Sequence, residues 1–219
     1  METYIQGLVL QSSLILALGA QNLFVLDCGI HKRSPVAVAL VCALCDALLI
    51  LLGVLGAATL FQMVPFFQLA LSAAGVFFLV FYGARKLREG FGTSSLAEMK
   101  STSSGTLKAT LIAALSFSLL NPHVYLDTLV LIGGYSSRFP VASDRLAFGA
   151  GAASFSFVWF FALSLGAAAI SLKLRSPKVL RRISLVSGCI LIALGLKLAW
   201  ESSHLLGLPM AVAANAVGK

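Results

Sequence analysis

The sequence predicts an all-α integral membrane protein of six transmembrane helices, built as two inverted three-helix repeats. Three observations predict it. The chain of 219 residues is 59% hydrophobic and only 11% charged, with a mean hydropathy of +0.96, a balance that no soluble globular domain of this length shows. Its apolar residues fall into six runs of about 20 residues, the length that crosses a bilayer as a helix. Its basic residues collect in alternate connections between those runs. The formal charge of +8 is therefore a topology signal. It is not a nucleic-acid footprint, because the cations lie in short strips between apolar runs.

The first run covers 4–26; no Lys or Arg precedes it and no small-residue cleavage site follows it, so it is expected to stay as a helix. The others cover 36–61, 66–84, 110–132, 146–172 and 183–200. They are helices by necessity, since backbone groups in hydrocarbon have no water to bond and the runs lack the alternation of barrel strands. The tail, 205–219, is mildly apolar and unassigned. Connections one, three and five carry Lys32 and Arg33; Arg85, Lys86, Arg88, Lys100 and Lys108; and Lys173, Arg175, Lys178, Arg181 and Arg182. Connections two and four hold only Arg138 and Arg145. The positive-inside rule places the first set in the cytoplasm and both termini outside. If the first run failed to span, only the N-terminus would change sides. The connection 85–108, rich in Ser, Thr, Gly and charge, reads as a flexible linker. One transmembrane domain, 1–204, then divides into halves 1–90 and 109–204.

The halves look related. Displacing the second run by 110 positions matches Ala43 with Ala153 and Leu55 to Ala58 with Leu165 to Ala168. Displacing the third by 112 matches Ser72, Gly83, Arg85 and Glu89 with Ser184, Gly195, Lys197 and Glu201. Three spans per unit is an odd number, so the units lie in opposite orientations, the pattern of secondary transporters that bind solute near the midplane.

Asp46 and Asp127 carry the chemistry. Each sits in a run with no Lys or Arg beside it, and a carboxylate near the centre of a spanning helix costs roughly 2.5 to 3.5 kcal/mol, so it faces a partner, a wet cavity or a substrate. The structural alternative is that both are protonated or bonded to neighbouring hydroxyls and amides. In the first run GAQNLFVL places Gln21 and Asn22 in apolar surroundings; in the fourth LNPHVYLD places Asn121, Pro122, His123, Tyr125 and Asp127 at the equivalent point. Pro122 has no amide hydrogen and clashes one turn back, so the fourth helix should break near Ser118. At such breaks half-helix N-termini attract carboxylates while freed carbonyls and acids hold cations. An amino acid with a basic side chain presents both signs. His123 titrates near working pH and could relay protons or simply pack. Tyr125 and Trp159 could line the path and stack on a cation, or serve as interface anchors. Asp27 and Asp144 read as loop residues, and Glu89 and Glu201 as solvated helix ends. Gly53, Gly56, Gly149 and Gly151 suit close helix contact. Cys42 and Cys45, one turn apart with no second pair, read as packing and not as a metal site; no cofactor and no disulfide are expected. The residues alone support a cation-binding secondary transporter. A metal-cation exporter, a membrane enzyme and a scaffold are the alternatives; no metal motif, activated nucleophile or phosphate loop speaks for an enzyme.

Four strings, GAQNLFVL followed by GIHKR, ALVCALCDALLILLGVLG, LNPHVYLDTLVLIGG, and SFVWFFALSLGAAA followed by LRSPKV, resemble the LysE-type basic amino acid exporters over nearly the whole chain. The resemblance implies export of L-lysine or L-arginine from the cytoplasm, with Asp46 and Asp127 as the important acids. Partners implied are the amino acid, a coupling proton or other ion and the lipid bilayer; a homo-oligomer is left open. The family usually has proline where Ala20 stands, which predicts a less sharply broken first helix.

Overall fold

The computed structural model describes residues 1–16, 19–57, 65–91, 106–171 and 177–217, and every regular element among them is helical. In chain order these are α1 (Glu2–Ile15), α2 (Ala20–Ile30), α3 (Pro35–Leu52), α4 (Pro65–Phe91), α5 (Leu107–Leu119), α6 (Pro122–Ser136), α7 (Ala142–Ile170) and α8 (Pro177–Val217). A π-helical segment, Gly53–Ala57, continues α3, and another, Tyr125–Ile132, forms the middle of α6. Four stretches, Pro35–Gly56, Leu69–Phe91, Ala142–Ile170 and Lys178–Ser202, are long and apolar enough to cross a membrane alone. The bent pairs α1/α2 and α5/α6 bring the spans to as many as six. Most of the linker, with Lys100, and the loop bearing Lys173 and Arg175 lie outside the described residues.

The first run is not one helix. α1 and α2 meet at 81°, a sharper bend than the 56° between α5 and α6, so Ala20 in place of proline does not soften the break. Gly19 supplies it with an extended backbone at φ −89°, ψ 174°. Asn22 then donates through Nδ2 to the Ile15 carbonyl at 2.7 Å, bonding an acceptor that the end of α1 leaves over. In the fourth run Pro122 starts α6, and Asn121 caps it by accepting from the His123 amide at 3.2 Å. The sixth run is the middle of a 41-residue helix. At 1.5 Å per residue that is about 60 Å, twice the hydrocarbon thickness, and the backbone stays helical through the tail to Val217.

α3 and α7 cross at the centre, α1 and α2 pack on α7, α5 and α6 pack on α3, and α4 pairs with α8. The face of α3 carrying Ala39, Cys42, Ala43, Asp46, Leu49 and Ile50 is buried, while Leu40, Leu44, Leu48, Leu51 and Leu55 form an exposed apolar stripe suited to lipid. Asp46 therefore points inward. α4 and α8 run antiparallel, with Gly83 against Gly188 and Ile192, and Gly195 against Val80 and Leu79. The first π-helical segment packs on α6 through Gly53, which lies against Leu129 and Thr128, and Gly133: a Cβ on Gly133 would stand 2.6 Å from the Gly53 carbonyl oxygen. Gly149 and Gly151 also sit at close contacts. Gly56 does not; its φ of +97° puts it where L side chains are strained, so it bends the end of α3.

Candidate functional site

The two helix breaks face one cavity of about 260 Å³. It is bordered by Gln11, Gly19, Ala20, Gln21 and Asn22 from the first break, Asn121, His123, Asp127 and Thr128 from the second, Asp46 from α3, and Leu79, Leu194, Lys197 and Leu198 from α4 and α8. At about 30 Å³ per water, this is room for an organic solute and far more than a bare ion fills.

Asp46, only 3% exposed, is the most buried acid on the cavity wall. Its Oδ2 accepts from the Ser156 hydroxyl at 3.1 Å, and Ser156 accepts from Gln11 Nε2 at 2.8 Å. Gln21 Nε2 donates to the Ser118 hydroxyl at 3.0 Å. The ion pairs among the described residues involve Asp27, Glu89 and Glu201; neither Asp46 nor Asp127 takes part in one. Asp127 is half-buried on α6. The outer rim is charged and wet: His123 Nε2 lies 3.2 Å and Lys197 Nζ 3.6 Å from Glu201, with 47% and 64% of their side chains exposed.

The first turn of α2 has no side-chain cap, whereas that of α6 is capped by Asn121. With Gly19, Ala20 and Gln21 on the cavity wall, the positive end of the α2 dipole is directed at the same space as the Asp46 carboxylate. A zwitterion with a cationic side chain matches that pairing of signs.

Below the cavity the bundle is closed. Phe24 stacks on Phe117 at 4.6 Å between ring centres, and Tyr82 meets Phe117 edge-on at 4.9 Å. Asp27 and Lys86 each stand seven residues beyond a cavity residue, Ala20 and Leu79 respectively, or about 10 Å further along their helices. There Lys86 Nζ reaches Asp27 Oδ2 at 2.8 Å and Glu89 at 3.1 Å, Arg33 also pairs with Asp27, and His31 Nδ1 lies 3.2 Å from it. Asp27 is thus no loop residue: it ends α2, is 2% exposed, and is neutralised by buried Lys86. Glu89 belongs to the same cluster and is not simply solvated, and Glu201 is likewise paired.

The model for the LysE type translocators matches residues 12–202. The chain belongs to that family. Among relatives, it is 42% identical over 197 residues to the candidate amino-acid transporter YggA of Aeromonas salmonicida, covering 90% of this chain and 95% of the relative. It is 38% identical over 207 residues to the arginine exporter protein ArgO of Klebsiella pneumoniae strain 342, covering 94% and 97%. It is also 38% identical over 197 residues to ArgO of Escherichia coli K12, covering 90% and 92%. No solved structure matches the chain.

In this LysE translocator the expected residues divide. Gln21, Asn22, Asp46, Asn121, His123 and Asp127 share the cavity wall; Pro122, Tyr125 and Trp159 lie off it. Pro122 is buried at the head of α6 and Tyr125 opens its π-helical segment. Trp159 donates its indole N–H to Asn22 Oδ1 at 3.1 Å, so the pair ties α7 to the first break. Sequence reasoning missed Gln11 and Ser156. Each is one of several polar positions on its helix, beside Gln6, Ser12 and Ser13 on α1 and Ser154 and Ser164 on α7, so nothing in the sequence singles it out. Cys28, Cys42 and Cys45 are buried free thiols, and Cys42 packs within the core.

Proposed function

We propose that the protein exports basic L-amino acids, L-arginine first and L-lysine second, from the cytoplasm across the bacterial inner membrane by alternating access. One observation carries the reading: a solute-sized cavity holds a buried carboxylate, Asp46, that pairs with no Lys or Arg among the described residues. A cationic side chain would supply the missing charge there. The uncapped start of α2 would receive the substrate's carboxylate. The names of the ArgO relatives favour arginine.

Two features support alternation between inverted halves. A bent pair followed by two long helices occurs twice along the chain, and the α4–α8 contacts are reciprocal: Gly83 meets Ile192 while Gly195, 112 positions on, meets Val80. The cavity adjoins exposed side chains at His123 and Lys197 but is closed at the Asp27 end, the form of one end state of a rocking cycle. A negative-inside potential opposes cation export at about 2.3 kcal/mol per charge per 100 mV. Protons returning through the aspartates would offset that cost.

Counterflow of labelled arginine and lysine into proteoliposomes, with and without an imposed pH gradient, tests the proposal. Arginine should exchange, and a gradient that drives protons inward should speed net export. Absence of exchange for both amino acids refutes the substrate assignment; exchange with no response to the gradient refutes proton coupling.

A further inference from the structure

Gln11 and Ser156 lie far apart in the chain and have no part in the motifs of the two breaks, yet both are buried in the hydrogen-bond chain that ends on Asp46: Gln11 is 1% and Ser156 0% exposed. Their hydrogen-bond chain has one direction when Asp46 is ionised. A serine hydroxyl has a single proton. That proton goes to Asp46 Oδ2, so Ser156 can only accept from Gln11, which must turn its Nε2 towards the hydroxyl. Gln11 Oε1 is left over, as is Asp46 Oδ1; both are buried and, among the described residues, neither has a donor in hydrogen-bond geometry, although the Gln21 amide also lies beside the Asp46 carboxylate. A buried acceptor with no donor costs about 1 to 3 kcal/mol, and more when charged. Two such atoms, held by one serine on residues that border one cavity, constitute a built acceptor site.

We infer that Gln11 Oε1 and Asp46 Oδ1 together receive the cationic end of the substrate, with Ser156 as the positioning residue that holds both side chains in place. A guanidinium offers five N–H donors in a planar fork and an ammonium three, so either has donors enough for both oxygens. Asp46 supplies the charge and Gln11 a neutral second acceptor. Gln11 thereby favours a group with several donors over a spherical ion. The inference rests on the proposed export of basic amino acids and assigns the orientation of the substrate in that site.

Competition against labelled arginine on the purified full-length protein tests it with three probes: arginine; agmatine, which keeps the guanidinium but has no carboxylate; and norvaline, which keeps the α-groups but has no guanidinium. In Gln11→Met and in Ser156→Ala, arginine and agmatine should each weaken about tenfold, the loss of one hydrogen bond to a charged donor, while competition by norvaline stays as in the wild type. Equal weakening of all three probes would assign Gln11 and Ser156 a purely structural role and overturn the inference, as would unaltered arginine binding in both variants. Ser156→Ala removes a single buried oxygen and so keeps the test available if Gln11→Met does not fold. Wild-type protein that binds no arginine would instead refute the export reading itself.

Discussion

Asp27 and Asp127 stand one hundred positions apart, each preceded by leucine and each following a helix break, yet their surroundings are opposite. Asp27 is enclosed by Arg33, Lys86 and His31. Asp127 borders the cavity and joins no ion pair among the described residues. At the positions matching Arg33 and Lys86, the second half carries Gly133 and Leu198, which hold no charge. The halves do share a second feature: Arg85 pairs with Glu89 and Lys197 with Glu201, 112 positions on. Asp27 at the closed end thus has its own cations, whereas Asp127 and Asp46 pair with none among the described residues. An acid's neighbours assign its role, and its place in a motif does not.

The largest expected effect breaks the comparison at the uncompensated end. Asp46→Asn keeps the size of the side chain but removes the charge that a substrate cation would meet. Truncating one member of a buried, hydrogen-bonded charge pair costs about 2 to 5 kcal/mol, so arginine counterflow should fall by about thirtyfold to several thousandfold, with normal amounts of protein in the membrane. Transport at the wild-type rate would show that Asp46 does not bind the substrate's charge.

Next in size is the converse change at the compensated end. Asp27→Asn takes the carboxylate from part-buried Arg33 and leaves buried Lys86 with Glu89 alone, and breaking a buried pair from one side costs about 3 to 5 kcal/mol. Thermal unfolding in detergent should shift to markedly lower temperature. Adding Lys86→Met should recover part of the loss, because the second change removes a stranded charge. If Asp27→Asn unfolds like wild type, the cluster does not fasten α2 to α4.

Much of this contrast was legible in the sequence, and the illegible part has physical causes. Long apolar runs and a lone acid such as Asp46 announce themselves because hydrocarbon penalises charge so heavily. Pro122 announces its break because a ring without an N–H cannot continue the ladder. The break at Gly19 is silent, since glycine permits an extended backbone without requiring it. Asp27 sits four residues before the string HKR and reads as part of a wet loop; only the fold brings Lys86 over to bury it. Gln11 belongs to no motif and Ser156 merely opens the string SFVWFFALSLGAAA; their meaning arises from the hydrogen-bond chain that leads to Asp46. The inward face of α3 follows from its helical period, but which inward polar groups meet across 110 positions of chain does not.

Asp127→Asn should lie between these extremes. The side chain is half-buried at the cavity wall, where water screens its field, so a loss of about 1 to 2 kcal/mol, or roughly tenfold in arginine affinity, is expected. Titration of labelled arginine against both variants ranks them. A loss for Asp127→Asn equal to that for Asp46→Asn would move the cation seat towards the second break.

The smallest effect belongs to Glu201→Gln. Glu201 is 41% exposed, and both its partners, His123 and Lys197, are largely in solvent. Exposed ion pairs contribute about 0.2 to 1 kcal/mol and are further weakened by salt. Counterflow should therefore change less than about fivefold, and raising the salt concentration should erase the difference. The matched pair Arg85–Glu89 adjoins the buried cluster around Asp27, so Glu89→Gln should destabilise the fold more than Glu201→Gln does. Equal unfolding temperatures for these two variants would mean that the cluster's burial does not distinguish the two ends of the bundle, and the contrast between a closed end and an open one would fail there.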